Sequence, residues 1–221
     1  MFSNITPMVK NLLIVNIVIH LLANMVPDDF IRQIFSFHNP ILPGAPELWN
    51  PNFKPWQIIT YMFLHSGDTY MHLFSNMFAL LIFGPAIEAY MGSGKFLKYY
   101  IICGIGAAFF NMGMDYLAFF QTSQSDAQIH YLSIKSMVGA SGAIFGILVA
   151  FAMLFPNIEM LLLFFPVPIK AKYFVALYAI FELVQAFGSA ATGIAHWAHI
   201  GGLITGFILL QFFSFKKRNF Y

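Results

Sequence analysis

An all-α protein whose helices cross a membrane is the fold that the sequence predicts, and three observations predict it. Hydrophobic residues make up 59% of the chain and charged residues only 9%, whereas a soluble domain carries about 25% charged residues. Apolar runs of about 20 residues, the length that crosses a bilayer core, recur along the whole chain. Glycine, proline and asparagine stand between these runs. We therefore predict one membrane domain over residues 1–221.

Six apolar segments are the predicted membrane helices. Turn residues separate several of them, as at Gly92-Ser93-Gly94 and Pro156-Asn157. No small-residue cleavage site follows the first segment, so we expect it to remain as a span and not to be removed as a signal peptide. The prediction is a bundle of six transmembrane helices, at residues 8–26, 69–91, 96–120, 137–155, 171–188 and 194–215.

Residues 27–68, between the first two predicted helices, have a different composition. They contain six prolines together with Trp49 and Trp56. This stretch is too broken to cross a membrane and too apolar to be a free linker. Because tryptophan favours the membrane–water boundary, we predict a long structured loop that lies partly in the interface.

The lysines and arginines predict the orientation of the bundle. If the N-terminus is cytoplasmic, eight of them fall on the cytoplasmic side and three, Arg32, Lys54 and Lys135, on the other. Cytoplasmic segments carry the excess of basic residues, so we expect both termini in the cytoplasm. The net charge of +2 is too small to suggest a nucleic-acid partner.

Polar residues inside membrane spans are costly and are therefore functional candidates. A single cysteine, Cys103, excludes a disulfide within the chain. The main polar candidates are His72, Asn76, Glu88, Asp115, Ser141, Glu182, His196 and His199.

Ser141 and His199 are predicted to form a nucleophile–base pair. Each lies at the start of a predicted span, and the fourth and sixth spans run in the same direction, so the two residues have similar depth. Glycines four residues apart, at 142 and 146 and at 202 and 206, allow the two helices to approach closely. A serine within reach of a histidine base can act as a nucleophile, although a lone Gly-x-Ser-Gly is more often a packing feature.

His72 and Asn76 lie four residues apart and so share one face of the second span. That span runs parallel to the fourth and sixth, which brings its start to the same depth as Ser141. Both side chains can donate a hydrogen bond to an oxyanion. Taken alone, His72 is an ordinary interior histidine; the combination with Ser141 and His199 favours catalysis.

These residues resemble the rhomboid family of intramembrane serine proteases. The matching motifs are His72-x-x-x-Asn76, Gly139-Ala140-Ser141-Gly142 and His199-x-x-Gly202-x-x-x-Gly206. The resemblance implies a Ser141–His199 dyad without a third acidic member. It also implies an oxyanion hole made by the Ser141 N–H, His72 and Asn76, and single-span membrane proteins as substrates. Many members have tyrosine where this chain has Phe145, whose ring can still stack on His199.

The resemblance also sets expectations for partners and location. Membrane lipid surrounds the protein, no cofactor is needed, and the compact six-span form is similar to bacterial members in the inner, or cytoplasmic, membrane. His196 and His199 could be a metal pair, but the sequence offers no convincing third ligand, so we predict no metal. We expect His196 to be reached by water and dispensable. Glu88 is expected to anchor a loop or cap a helix, and Asp115 and Glu182 to be paired inside the bundle.

Two other functions compete with this prediction. A catalytically inactive rhomboid-like protein would bind membrane clients without cutting them, but such relatives typically lack the serine or the histidine. A transporter or proton relay would use the same buried polar residues. Transporters often show paired repeats or broken helices, and neither is visible in this sequence.

Overall fold

The computed structural model describes residues 5–42, 45–67, 70–121, 125–162, 165–188 and 195–212. Within these ranges the chain forms nine α-helices, two single 3-10 turns at Pro27–Asp29 and Tyr61–Phe63, and six short strands. The helices are α1 (Pro7–Met25), α2 (Phe30–Phe35), α3 (Gln57–Thr60), α4 (Tyr70–Met91), α5 (Ser93–Gln121), α6 (Asp126–Ile134), α7 (Ser141–Leu154), α8 (Ala171–Phe187) and α9 (His196–Phe212). The strands are β1 (Phe37–His38), β2 (Ile41–Leu42), β3 (Ala45–Trp49), β4 (Ser136–Met137), β5 (Glu159–Leu162) and β6 (Phe165–Lys170).

The six longer helices, α1, α4, α5, α7, α8 and α9, coincide with the six predicted apolar segments. Among the described residues, α1, α4 and α5 are long and apolar enough to cross a membrane, and α7 is apolar but only 14 residues long. The ends of the sixth predicted segment, at 194 and 213–215, and the basic residues at 216–218 lie outside the described residues.

The core of the bundle lies where α5, α7 and α9 meet. Small residues let these helices approach closely, and the Tyr99 hydroxyl of α5 donates a hydrogen bond of 2.8 Å to the Gly146 carbonyl of α7. By contrast, α8 exposes large apolar side chains on its outer face, including Leu177 at 61% and Val184 at 63% exposure. Apolar side chains on the outside agree with a surface that lipid covers.

The helices alternate in direction, and buried polar contacts mark the two ends of the bundle. At one end, the Glu88 carboxylate near the end of α4 accepts hydrogen bonds from the Met8 and Val9 N–H groups at the start of α1. At the other end, His20 of α1 lies against His65, just before α4. We call the end where α4, α7 and α9 begin the site end.

The described residues of the segment between α1 and α4 form short helices and strands that contact the site end. Its strand β1 pairs antiparallel with β4, so that Phe37 lies opposite Met137. The Tyr61 carbonyl accepts a hydrogen bond of 3.0 Å from the Gly139 N–H. Both contacts fix the backbone immediately before α7.

Candidate active site

Ser141 occupies the first position of α7. The backbone N–H groups of a first helical turn have no partner within the helix and favour negative charge nearby. Gly139, two residues earlier, has φ +130°, a conformation that glycine adopts without steric cost. A Cβ at that position would lie 2.9 Å from His72 Nε2 and 3.5 Å from Ser141 Oγ. Glycine therefore permits both the turn and the close approach of His72 to the serine.

His199 lies in the first turn of α9, and its Nε2 is 2.9 Å from Ser141 Oγ. This contact confirms the predicted proximity of the two residues. The predicted glycine contact between the helices is present as well, because a Cβ on Gly202 would stand 1.9 Å from the Gly142 carbonyl oxygen. Phe145 stacks on the His199 ring with 4.3 Å between ring centres, as expected for a side chain one turn after the serine.

Glu182 is the site residue that sequence reasoning missed. Its Oε2 lies 2.8 Å from His199 Nδ1 and 2.7 Å from His196 Nδ1. The Glu182 side chain is 2% exposed, and α8 presents it to the start of α9. Glu182 is paired inside the bundle as predicted, but its partners are the two histidines. The resemblance implied a base without an acidic neighbour, whereas this structure has one.

His196 also differs from expectation. It was predicted to lie where water reaches it, but it is 7% exposed, as buried as His199 at 8%. The reason is the shared carboxylate, since the i, i+3 spacing of the two histidines puts both Nδ1 atoms within reach of one oxygen of Glu182.

The hydrogen positions follow from the chemistry of the acceptors. A carboxylate oxygen can only accept hydrogen bonds, so in contact with ionised Glu182 both histidines carry hydrogen on Nδ1. In the neutral ring, His199 Nε2 is then an acceptor for the Ser141 hydroxyl. This is the protonation state that a general base needs.

His72 is the α4 residue that lies nearest Ser141, and Asn76 follows it by one turn on the same helix. The Ser66 N–H donates to His72 Nδ1 at 3.3 Å, which leaves the hydrogen of a neutral His72 ring on Nε2, the atom nearest Gly139. Asn76, one turn further along α4, is 5% exposed, and one N–H of its amide donates to the His72 carbonyl at 2.7 Å. The second N–H of that amide is a further donor.

His65 lies behind His72, with 5.2 Å between the ring centres. Its burial, with the nearby His72, His20 and Arg32, lowers the pKa of His65 to about 3. The Arg32 Nε donates to the His65 carbonyl at 2.9 Å. His65 is therefore a neutral packing group next to the site.

Three possible metal ligands also meet here. Among the described residues, only Glu182, His196 and His199 form such a group, with their ligand atoms within 4.8 Å of one another. The third ligand that the sequence did not reveal is therefore Glu182. The contacts of 2.7 and 2.8 Å are ordinary lengths for charge-assisted hydrogen bonds, so hydrogen bonding accounts for the cluster.

Two further acids, the buried Glu88 and the half-buried Asp115, are structural. Glu88 caps the start of α1 and accepts a third hydrogen bond from the Ser93 hydroxyl at 2.6 Å, which confirms its predicted capping role. Asp115 forms an ion pair of 2.6 Å with Lys135. This pair ties α5 to the segment that leads into β4.

Comparison with known proteins identifies the family of this chain. Residues 52–216 match the family described as the Rhomboid domain. Rhomboid protease AarA of Providencia stuartii is 34% identical over 70% of this chain and 54% of its own length. Rhomboid protein 1, mitochondrial, of Saccharomyces cerevisiae is 31% identical over 64% of this chain and 37% of its own.

The match to a third relative covers a larger share of that relative's length. YdcA of Bacillus subtilis, a candidate rhomboid protease by its name, is 33% identical over 76% of this chain and 71% of its own length. The chain spans only about half, or less, of the first two relatives. The domain match covers most of the sequence and includes all four predicted site residues. The chain is an integral membrane protein that belongs to the rhomboid family.

Proposed function

We propose that this chain is an intramembrane serine endopeptidase that cleaves single-span membrane proteins within or near their transmembrane segments. The observation that carries the proposal is the 2.9 Å contact between Ser141 Oγ and His199 Nε2. A serine hydroxyl is a weak nucleophile until an adjacent base takes its proton, and this contact supplies the base.

In the proposed first step, Ser141 Oγ attacks the scissile carbonyl carbon while His199 Nε2 takes the hydroxyl proton. Negative charge then develops on the carbonyl oxygen. The proposed donors to this oxygen are three: the Ser141 N–H at the start of α7, His72 Nε2–H and the second amide N–H of Asn76. Preorganised donors of this kind stabilise the tetrahedral intermediate.

In the second step, His199 returns the proton to the leaving amine and the peptide bond breaks. Water then attacks the acyl group on Ser141 while the same histidine takes its proton. His199 passes that proton to Ser141 Oγ as the acyl bond breaks, which releases the carboxylic acid product and restores the serine. Each step uses only the serine, the histidine and water, so the proposed reaction needs no cofactor.

The length of α7 supports cleavage within the membrane. Its 14 residues span about 21 Å at 1.5 Å per residue, whereas the bilayer core is about 30 Å thick. If the far end of α7 reaches the opposite boundary, Ser141 lies about 9 Å inside the apolar layer. The peptide bond it meets there belongs to a membrane-embedded segment.

We also propose six spans with both termini cytoplasmic, in a bacterial inner membrane. The alternating direction of the longer helices and the eight-to-three distribution of lysine and arginine support this orientation. Reporter fusions at residue 221 and within 121–135 test it, because the two positions should report opposite sides. The same side for both would contradict it.

The test of function is incubation of the purified protein with a panel of fluorescently labelled single-span membrane proteins, beside Ser141→Ala. We expect the wild type to cut at least one of them and the variant to cut none. Binding of a substrate by both proteins with cleavage by neither would favour the inactive binding protein instead.

A further inference from the structure

We propose that Glu182 is a positioning residue for the hydrolytic reaction, so that the site operates as a Ser141–His199–Glu182 arrangement with His196 as a second support. This inference rests on the proposed protease function and adds a residue to it. It is carried by the two contacts of one carboxylate oxygen, at 2.7 Å to His196 and 2.8 Å to His199.

The first argument is the free energy that is lost when the Glu182 carboxylate is buried. A carboxylate inside a membrane protein loses its hydration and is expensive unless it is paired. Glu182 is 2% exposed, and Tyr178 and Phe181 beside it on α8 are aromatic. An apolar residue here would avoid this cost. The carboxylate is therefore accounted for by its two hydrogen-bond partners, one of which contacts Ser141.

The second argument is the tautomer of His199. A neutral imidazole has one hydrogen, and it can stand on either nitrogen. If it stood on Nε2, the ring could not accept the proton of Ser141. An acceptor next to Nδ1 selects the useful tautomer, and in this structure the acceptor is Glu182 Oε2.

The third argument is orientation. Glu182 holds one edge of the His199 ring, the Ser141 hydroxyl meets the opposite nitrogen at 2.9 Å, and Phe145 stacks on its face. The hydrogen bond from His196 to the same Oε2 fixes the carboxylate in turn. The ring therefore cannot rotate away from the serine without breaking a buried contact.

The proposed role during the reaction is electrostatic. When His199 takes the proton of Ser141, the ring becomes an imidazolium with hydrogen on both nitrogens. The carboxylate of Glu182 then stabilises the positive charge of the ring through the Nδ1–H group and accepts no proton itself. The serine-protease triad uses its buried aspartate in this way.

The experiment compares Glu182→Gln and Glu182→Asp with a matched control, Glu88→Gln. Glu88 is as buried as Glu182, at 2% exposure, and its carboxylate also accepts several hydrogen bonds, but its partners among the described residues are two backbone N–H groups and a serine hydroxyl. Cleavage of one labelled single-span substrate gives kcat and KM for each purified protein, and a thermal melt reports folding. Each assay is run twice in parallel, once with a metal chelator and once without it.

We expect Glu182→Gln to lower kcat by about 10²–10⁴ with KM within about twofold, because an amide can donate to Nδ1 and impose the wrong tautomer. Glu182→Asp keeps the charge and should lie between the glutamine variant and the wild type. Glu88→Gln should lower the melting temperature and leave kcat within about threefold, since its role is to cap α1.

A kcat for Glu182→Gln within about threefold of the wild type would overturn the proposal. If that variant does not fold, Glu182→Asp decides: a kcat equal to that of the wild type would also overturn it. Loss of wild-type cleavage in the chelator would assign the cluster to a metal and overturn it as well. Failure of the proposed function is distinct, because then the wild type itself would cleave nothing.

Discussion

Two buried glutamates, Glu88 and Glu182, show how the two ends of the bundle differ. Each is 2% exposed, and the carboxylate of each accepts more than one hydrogen bond. Glu88 accepts hydrogen bonds from backbone N–H groups of α1, which join two helices. Glu182 accepts them from side chains, one of which contacts the serine. The two glutamates therefore have the same burial and the same side-chain chemistry. The identity of the groups that donate hydrogen bonds to each carboxylate decides between a structural and a chemical role.

This difference predicts that substitutions at the site end lower turnover and leave stability largely intact. The largest effect is expected for His199→Ala, which removes the base. We expect kcat to fall by about 10⁴–10⁶, as for removal of the histidine of a serine protease. Cleavage of one labelled substrate measures it, with thermal stability as the check on folding.

His196→Ala is the control for that substitution, because it removes the neighbouring histidine but no reacting group. The sequence alone predicted that His196 is dispensable. Since His196 holds Glu182 in this structure, we now expect a loss of about 10-fold, well short of the loss for His199. Abolished cleavage in His196→Ala together with near-normal cleavage in His199→Ala would show that the base is assigned to the wrong histidine.

Asn76→Ala tests the oxyanion donors of α4. Removal of one such donor typically costs about 10²–10³ in turnover, or roughly 3–4 kcal/mol in the barrier. The loss should appear in kcat with little change in KM, because a ground-state carbonyl gains less from the donor than the tetrahedral intermediate does. Steady-state kinetics decide, and a variant with a raised KM alone would assign Asn76 to substrate binding.

Gly202→Ala tests whether the contact between α7 and α9 sets the geometry of the pair. The added Cβ would stand 1.9 Å from the Gly142 carbonyl oxygen, so α9 must move and carry His199 with it. A displacement of about 1 Å can cost about 10²-fold in rate, and we expect a loss of that order together with a lower melting temperature.

Gly113→Ala is the matched control, because no described atom outside the adjacent backbone of α5 lies within 4 Å of a Cβ at that position. It should leave turnover unchanged and raise the melting temperature slightly, since alanine favours a helix over glycine by about 1 kcal/mol. Equal activity in the two alanine variants would show that close helix packing does not position the histidine.

The smallest predicted effect concerns pH and His65. Because the folded protein holds the pKa of His65 at about 3, while an unfolded histidine titrates near 6.5, the unfolded state binds more protons between these values. The free energy of unfolding should therefore be highest above about pH 6.5 and fall as pH decreases, by at most about 1.4 kcal/mol per pH unit from this group.

His65→Phe checks the assignment. Neither ring nitrogen of His65 has a hydrogen-bond partner among the described residues, so phenylalanine loses no bond there. Denaturation of the wild type and this variant at several pH values between 7.5 and 5 should give a shallower pH dependence for the variant. The same slope in both would attribute acid sensitivity to other groups.

The sequence predicted the helices and the Ser141–His199 pair because both depend on features that are local in the chain. Apolar runs of sufficient length define the helices, and the serine and histidine each open a helix of the same direction. Glycines on both helices predicted their contact. A structural role for Glu88, in anchoring a loop or capping a helix, was predicted because it lies at the end of its span that is far from Ser141.

Glu182 could not be assigned in this way, because its partners depend on how α8 faces α9. One signal was present. Glu182 stands six residues before Gly188 and His196 eight residues after it, so a turn near Gly188 brings them to similar depth. Depth alone does not say which neighbouring helix a side chain faces.

The most direct test of the central claim is the reaction of Ser141 with a fluorophosphonate probe, which measures whether His199 activates the serine in the absence of any substrate. Labelling should occur on Ser141, as located by mass spectrometry of the labelled peptide. It should be lost in Ser141→Ala and slowed by at least about 10²-fold in folded His199→Ala. Undiminished labelling of Ser141→Ala, or an unchanged rate in His199→Ala, would contradict the assignment of these two residues as nucleophile and base.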